Sequence, residues 1–112
     1  SSKIRGEKLF NVCISCHSIE KGLPHKIGPN LWGVILRPIA SFPDYMYSQA
    51  LKSLSLSKWR FTLLNKFIKH PTSYIKGTYM SFSGIKDPVE RMDILNYLNY
   101  QSQKPLDLKL NK

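Results

Sequence analysis

Cys13-Ile14-Ser15-Cys16-His17 reads C-x-x-C-H, and no other stretch limits so sharply what this chain can fold into. It is the attachment signal of c-type haem. Two thiols three residues apart can each add across a porphyrin vinyl group, giving thioethers that do not dissociate. The histidine that follows lies beneath the iron and can offer a neutral imidazole nitrogen as an axial ligand. Half a zinc site is a competing reading, but the chain has no further cysteine to complete it. A thioredoxin-like dithiol is another, and it needs a strand-helix-strand setting that the flanking residues do not supply. Chance is the third.

At 112 residues one domain is expected. Protein alone makes a modest core at that size, so a large flat apolar ring held covalently would become the centre of packing. Seventeen Lys and Arg against seven Asp and Glu leave a formal charge of +10, which two propionates lower without reversing. Such a surface suits acidic partners, with association that weakens as salt rises. Nucleic acid is the bland alternative for a basic chain, but the lysines are scattered rather than lined along one helix. No apolar run approaches the roughly 20 residues a spanning helix requires. A chain that opens on Ser1 reads as though a leader had been removed, either a cleaved signal or a membrane anchor.

The regular elements legible in the chain are helices separated by irregular stretches, and the fold class expected is all-α. Lys3 to Cys13 reads as a helix carrying Ile4, Leu9, Phe10 and Cys13 to one side, with Gly6 on the same face as Phe10. A glycine there costs about 1 kcal/mol relative to alanine, so it is expected to admit another helix. From Gly22 to Gly33 the chain is too densely punctuated for a helix. Within that stretch Pro29 can offer the backbone acceptor that fixes a metal-bound imidazole, and Leu31 and Trp32 can help close the haem face. His25 reads as a structural or solvated loop histidine. Asp44 reads as the cap of a short helix holding Tyr45, Tyr47, Ala50 and Leu51. Ser57 reads as the cap of a second, from Lys58 to about Lys69, with Leu63, Leu64, Phe67 and Ile68 buried and His70-Pro71 stopping it. Tyr74 to Phe82 is a loop bent at Gly77. Asp87, Pro88 and Glu90 open the last helix as cap, first residue and capping-box partner. Its apolar face holds Val89, Ile94, Leu95, Tyr97 and Leu98, with Arg91, Asp93 and Asn96 largely outside it. Ile94 and Tyr97 are placed to pack on Gly6 and Phe10. One domain is expected over residues 1–103, followed by a tail over 104–112 that lies on the body or is loose.

With these pieces in order, the chain resembles a class I c-type cytochrome, the small electron carriers of mitochondria and of bacterial respiratory chains. The resemblance runs from Gly6 to about Leu98. It rests on Gly6 to Phe10, Cys13 to His17, Gly28-Pro29-Asn30-Leu31-Trp32-Gly33, Tyr47-Ser48, Trp59, Gly77-Thr78-Tyr79-Met80 with Phe82, and Glu90-Arg91 to Tyr97-Leu98. It implies the cytochrome c fold, with N- and C-terminal helices crossing and shorter helices and loops wrapped around one covalent haem c. By the same resemblance Cys13 and Cys16 carry the thioethers, and His17 and Met80 are the two iron ligands. Pro29 accepts from the His17 ring. Tyr47 and Trp59 hydrogen-bond a propionate with Arg37 nearby, Thr78 secures the haem edge, and Phe82 shields the Met80 side.

Departures from the family pattern are also legible. Phe67 stands where a tyrosine is common, and Thr72 and Tyr79 stand where mitochondrial members carry lysine, while Lys26 and Lys86 remain. Leu51 is apolar as in bacterial members, and the spacing from Gly6 to Cys13 is the shorter bacterial one. Lys76 replaces the proline usual before Gly77.

The function this implies is one-electron transfer, not enzymatic catalysis, from a quinol–cytochrome c reductase to a terminal oxidase. Acidic patches on those membrane complexes would be the partners of a monomeric carrier, with no nucleic acid involved. The expected setting is the bacterial periplasm, with the mitochondrial intermembrane space less favoured. Membrane association would come only through partners or an N-terminal anchor. The rival is a haem-based small-ligand sensor or a peroxidase-like enzyme with a labile sixth ligand.

Overall fold

The computed structural model describes residues 2–106. Its elements are α1 (Ser2–Leu9), a single 3₁₀ turn over Phe10–Val12, α2 (Gln49–Lys52), α3 (Phe61–Lys69), α4 (Pro71–Tyr74) and α5 (Pro88–Tyr100). Among the described residues the one piece of β pairing is an isolated antiparallel bridge between Pro38 and Lys58. The fold is therefore all-α, as the local patterns imply.

Helices α1 and α5 pack directly on one another. An isolated eight-residue helix is marginal in water, so α1 holds its form through tertiary contact. Gly6 is buried, and a Cβ there would lie 2.0 Å from the Asp93 carbonyl oxygen and 2.8 Å from Tyr97 Cβ. The missing side chain lets the two backbones touch. Phe10 follows one turn later, with its ring 5.5 Å from that of Tyr97. Arg5 then clamps the crossing by donating from Nε and Nη2 to the two Asp93 oxygens at 3.0 and 3.3 Å. Ile4, expected on the inner face, is exposed instead, because the glycine and not an apolar side chain makes the contact.

The opening of α5 follows its local rules. The Asp87 carboxylate accepts from the Val89 amide at 2.9 Å, and Pro88 takes the first helical position, where its missing N–H is not needed. Ile94, Leu95, Tyr97 and Leu98 are buried as expected, whereas Val89 is exposed. Arg91 and Asp93 depart further, at 7% and 5% exposure. A buried charge needs partners, and both have them. Arg91 donates to Asn65 Oδ1 and to the Ile85 and Lys86 carbonyls at 2.7 to 2.9 Å, which ties the segment before α5 to α3.

The middle helices start later than their sequence caps suggest. Asp44 bonds His25 instead of capping, and α2 begins four residues further on, where Ser48 Oγ accepts from the Leu51 amide. Tyr45 and Tyr47 thus lie in the loop before it. Ser57, Lys58 and Trp59 are drawn into backbone bonds with residues 36–39 (Leu36 N to Trp59 O, Trp59 N to Arg37 O and Ile39 N to Ser57 O), so α3 begins at Phe61. Its inner face holds Leu64 and Phe67, with Leu63 and Ile68 partly buried against the same core. His70-Pro71 does stop α3, but Pro71 also opens the single turn α4. Beyond α5, Leu106 exchanges two hydrogen bonds with the Asn99 side chain, so the tail is fastened to the body that far. The rest of the expected tail, residues 107–112, lies outside the described residues.

Candidate functional site

The C-x-x-C-H stretch leaves the 3₁₀ turn through a Cys13 amide bonded to the Phe10 carbonyl at 2.8 Å. The amides of Cys16 and His17 then both turn back to the Cys13 carbonyl, at 3.0 and 2.9 Å. Both thiols and the imidazole are thereby carried on one tight turn. Cys13 and Cys16 are partly buried free thiols. Burial, reinforced by Cys16, pushes the Cys13 thiol up to about 11, so it stands protonated at neutral pH.

His17 has one settled nitrogen. Nδ1 lies 2.7 Å from the Pro29 carbonyl oxygen, and a carbonyl can only accept, so Nδ1 carries the proton and Nε2 the lone pair. Burial lowers the pKa of this ring, with Arg37 and Lys26 acting in the same direction and the Pro29 bond opposing. A neutral imidazole with Nε2 unprotonated is the form that binds a metal. The acceptor loop is itself pinned, since the Gly28 amide donates to the Cys16 carbonyl at 2.7 Å. Buried Asn30 bonds the Glu20 and Leu23 carbonyls and the Trp32 amide. In sequence Gly28 was legible as loop punctuation and as part of the stretch that carries the resemblance, with no role of its own. In three dimensions it is the seat of the ring, because a Cβ there would stand 2.2 Å from His17 Cε1.

A second group gathers Arg37, Tyr47 and Trp59. The Trp59 amide donates to the Arg37 carbonyl, and buried Trp59 packs on Phe67 with ring centroids 5.2 Å apart. Arg37 donates to the Trp32 carbonyl at 3.0 Å and lies over the Phe42 ring. Tyr47 accepts from the Phe42 amide at 3.1 Å and so keeps its own proton to give. Burial lowers the Arg37 pKa, with Tyr47 opposing, and no carboxylate among the described residues forms an ion pair with it. A half-buried guanidinium beside a tyrosine hydroxyl, without an acid of its own, suits an anionic group brought by a ligand.

Thr78, Met80 and Phe82 share the third segment. Gly77, at φ +88°, makes the bend, and a Cβ there would lie 3.4 Å from the Ala50 Cβ on α2. Thr78 Oγ1 accepts from the Met80 amide at 3.3 Å. Met80 is half-buried against the apolar core, Phe82 is half-buried, and Lys76 and Tyr79 are exposed. His25, by contrast, has both nitrogens engaged, with Asp44 and with the Asn30 amide.

The donor set fits a covalently held haem: two thiols and an imidazole on one turn, its orientation fixed by Pro29, and an unpaired Arg37 for a propionate. A closed zinc site finds no support, because no cluster of three or more His, Cys, Asp or Glu side chains forms among the described residues. No helix among them is long and apolar enough to cross a membrane.

Comparison with known proteins agrees with this chemistry. The family model described as cytochrome c matches residues 4–102. The chain is 44% identical over 93 residues to a cytochrome c homolog of Rickettsia bellii, covering 83% of this chain and 53% of the relative. It is 43% identical over 94 residues to cytochrome c of Sesamum indicum, covering 83% and 84% respectively. A cytochrome c homolog of Bradyrhizobium diazoefficiens is 39% identical over 105 residues, covering 93% of this chain and 56% of the relative. The chain thus spans about half the length of the bacterial relatives it matches.

Proposed function

This chain belongs to the cytochrome c family, a family of electron carriers with haem c held on a cysteine pair, here Cys13 and Cys16; from that premise we propose that it is a respiratory one-electron carrier whose iron is ligated by His17 and Met80. The bound haem supplies a one-electron iron couple. His17 offers Nε2 to the iron while Pro29 holds Nδ1, and the 2.7 Å bond between them is the observation that carries the reading. Met80 offers its thioether from the loop that Gly77 and Thr78 shape. With His17 and Met80 as ligands, a neutral thioether paired with an imidazole would favour the ferrous state and raise the potential. Arg37, Tyr47 and Trp59 would hold a propionate, Thr78 would secure the haem edge, and Phe82 would shield the Met80 side.

The +10 charge supports docking onto acidic patches of a quinol–cytochrome c reductase and a terminal oxidase, with fast, salt-sensitive association. The setting proposed is the bacterial periplasm, with the carrier either free or anchored through an N-terminal segment. The test is the absorption spectrum of the holoprotein. The ferric form should show a methionine–iron band that Met80→Ala abolishes, and the ferrous form should not bind carbon monoxide. Carbon monoxide binding by the unmodified protein would move the reading to a small-ligand sensor or a peroxidase-like enzyme.

Lys76 gives a separate expectation. It is exposed and stands next to the left-handed Gly77, in a loop that lacks the stiffening of a proline. At high pH Lys76 would compete with Met80 as the ligand of a ferric haem iron. Lys76→Ala should therefore move the loss of the methionine–iron band upward by about one pH unit, a tenfold change in the ligand equilibrium. An unchanged alkaline midpoint would remove Lys76 from that role.

A further inference from the structure

One hydrogen-bonded chain runs from the candidate iron ligand to the surface. His17 Nδ1 donates to the Pro29 carbonyl oxygen at 2.7 Å. The other end of the same peptide group is the Asn30 amide, which donates to His25 Nδ1 at 2.9 Å. A main-chain N–H can only donate, so His25 Nδ1 is unprotonated and the ring proton sits on Nε2, which donates to Asp44 Oδ1 at 2.9 Å. We propose that His25 and Asp44 are positioning residues for His17, acting through the Pro29–Asn30 peptide to set the electron-donating strength of the axial imidazole and to make reduction of the protein proton-linked. The proposal rests on His17 being an iron ligand.

The physics follows from the conjugation of the peptide group. Asp44, holding the Nε2 proton, makes His25 Nδ1 a better acceptor. That polarises the Asn30 N–H and places more negative charge on the Pro29 oxygen, since linked hydrogen bonds strengthen one another. A stronger acceptor at Pro29 draws on the Nδ1 proton of His17 and makes its Nε2 more basic. A more basic ligand favours ferric iron. Proton uptake reverses the chain of effects. On Asp44 it removes the charge that holds the Nε2 proton. That event favours the ferrous form, and by reciprocity reduction favours proton uptake. The potential should be level at high pH and rise as pH falls.

The surroundings suit this role. The Asp44 side chain is 72% exposed and that of His25 only 16%. A cavity of about 310 Å³ lined by Lys21, Leu23, Trp32 and Phe42 lies beside both, giving protons a route from solvent. The Phe42 and Tyr45 rings meet His25 edge-on at 4.7 and 5.5 Å and hold its plane. The charged and titratable groups shown beside the ring are Asp44, which it bonds, Lys21, which lines the same cavity, and Tyr45, whose ring meets it edge-on, with Lys26 next in sequence and Arg37 over the Phe42 ring that packs on it. Tyr45 donates to the Ile27 carbonyl, Lys26 to that of Ile14, and Arg37 lies over Phe42. Asp44 is the one carboxylate in this set. Its carboxyl is held below the usual range, chiefly by the bond from His25.

The experiment is a spectroelectrochemical titration of the holoprotein from about pH 3 to about pH 8, for the wild type, Asp44→Asn, His25→Gln and the double variant. Asp44→Asn keeps an acceptor for Nε2 but not the charge. It should shift the reduction equilibrium about threefold toward ferrous, about 28 mV at 59 mV per tenfold, and flatten the pH profile. His25→Gln should shift it the same way, and the double variant should exceed neither single one. In the ferrous wild type, which needs no substitution to fold, the Asn30 amide proton should move upfield as pH falls. Potentials equal to wild type, effects that add as a through-space charge would, or a pH-invariant Asn30 amide would each overturn the relay. Hyperfine-shifted His17 ring protons in the ferric wild type report ligation separately, so their absence marks failure of the ligand assignment rather than of the relay.

Discussion

Gly6→Ala should destabilise the protein by about 2 kcal/mol, although alanine is the better helix former. Propensity alone predicts a gain of about 1 kcal/mol at an interior helical position. The contact decides otherwise, because the new methyl group would lie 2.0 Å from the Asp93 carbonyl oxygen and 2.7 Å from its carbon. Those atoms belong to the backbone of α5 and cannot rotate away, so the helices must separate. Separation would loosen the Arg5–Asp93 clamp and the Phe10–Tyr97 contact together. Overpacking costs about 1–3 kcal/mol, occasionally more, and an obstacle made of backbone belongs at the upper end. Guanidinium unfolding of the holoprotein should show the midpoint falling with an unchanged slope, and the thermal midpoint should drop by about 10 °C. A variant as stable as wild type would mean that α1 and α5 do not approach as closely as described.

That contact was legible in the sequence because a glycine among helix formers costs stability and therefore needs a reason. The start of α5 was legible for a similar reason: Asp87 and Pro88 act within one turn of themselves. The motif turn at Cys13 to His17 and its acceptor Pro29 were legible through chemistry specific to a bound metal. Arg37, Tyr47, Thr78 and Phe82 were reached only by resemblance, since nothing local marks them. The misplaced helix starts have one physical origin. Asp44 and Ser57 are good caps by residue type, but His25 claims the first, and the pairing of residues 57–59 with 36–39 claims the backbone around the second. Both competitors lie about 20 residues away in sequence, beyond the reach of a local rule. Arg91 and Asp93 failed in the same manner. Polar periodicity turns them outward, whereas partners on α3, α1 and the preceding loop let them be buried.

Gly28→Ala should have the larger effect on the site itself. Gly28 has ordinary backbone angles, unlike Gly22, Gly33, Gly77 and Gly84, so alanine is not excluded by conformation. It is excluded by the ring. A Cβ would lie 2.2 Å from His17 Cε1, 2.6 Å from Nδ1 and 2.7 Å from Nε2. The loop cannot easily retreat, because the Gly28 amide bonds Cys16 and nearby Asn30 is buried with its side chain bonded to three backbone groups. The ring must therefore swing, giving up the Pro29 oxygen and the placement of Nε2. Loss of an outer partner alone typically costs 10–100-fold in metal affinity, and here the ligand's own seat is taken as well. The thioether positions are untouched, so Gly28→Ala should still mature with haem on Cys13 and Cys16. Its ferric spectrum should then show at least about a tenfold rise in the form lacking His17 ligation, and the His17 Nδ1 proton should exchange faster. Gly33→Ala, where a Cβ would meet nothing within 4 Å, is the matched control. It should leave the spectrum unchanged and carry only the modest strain of a positive φ. A Gly28→Ala protein with the wild-type spectrum and slow Nδ1 exchange would show that the imidazole does not sit over this glycine, and would take the Pro29 bond down with it.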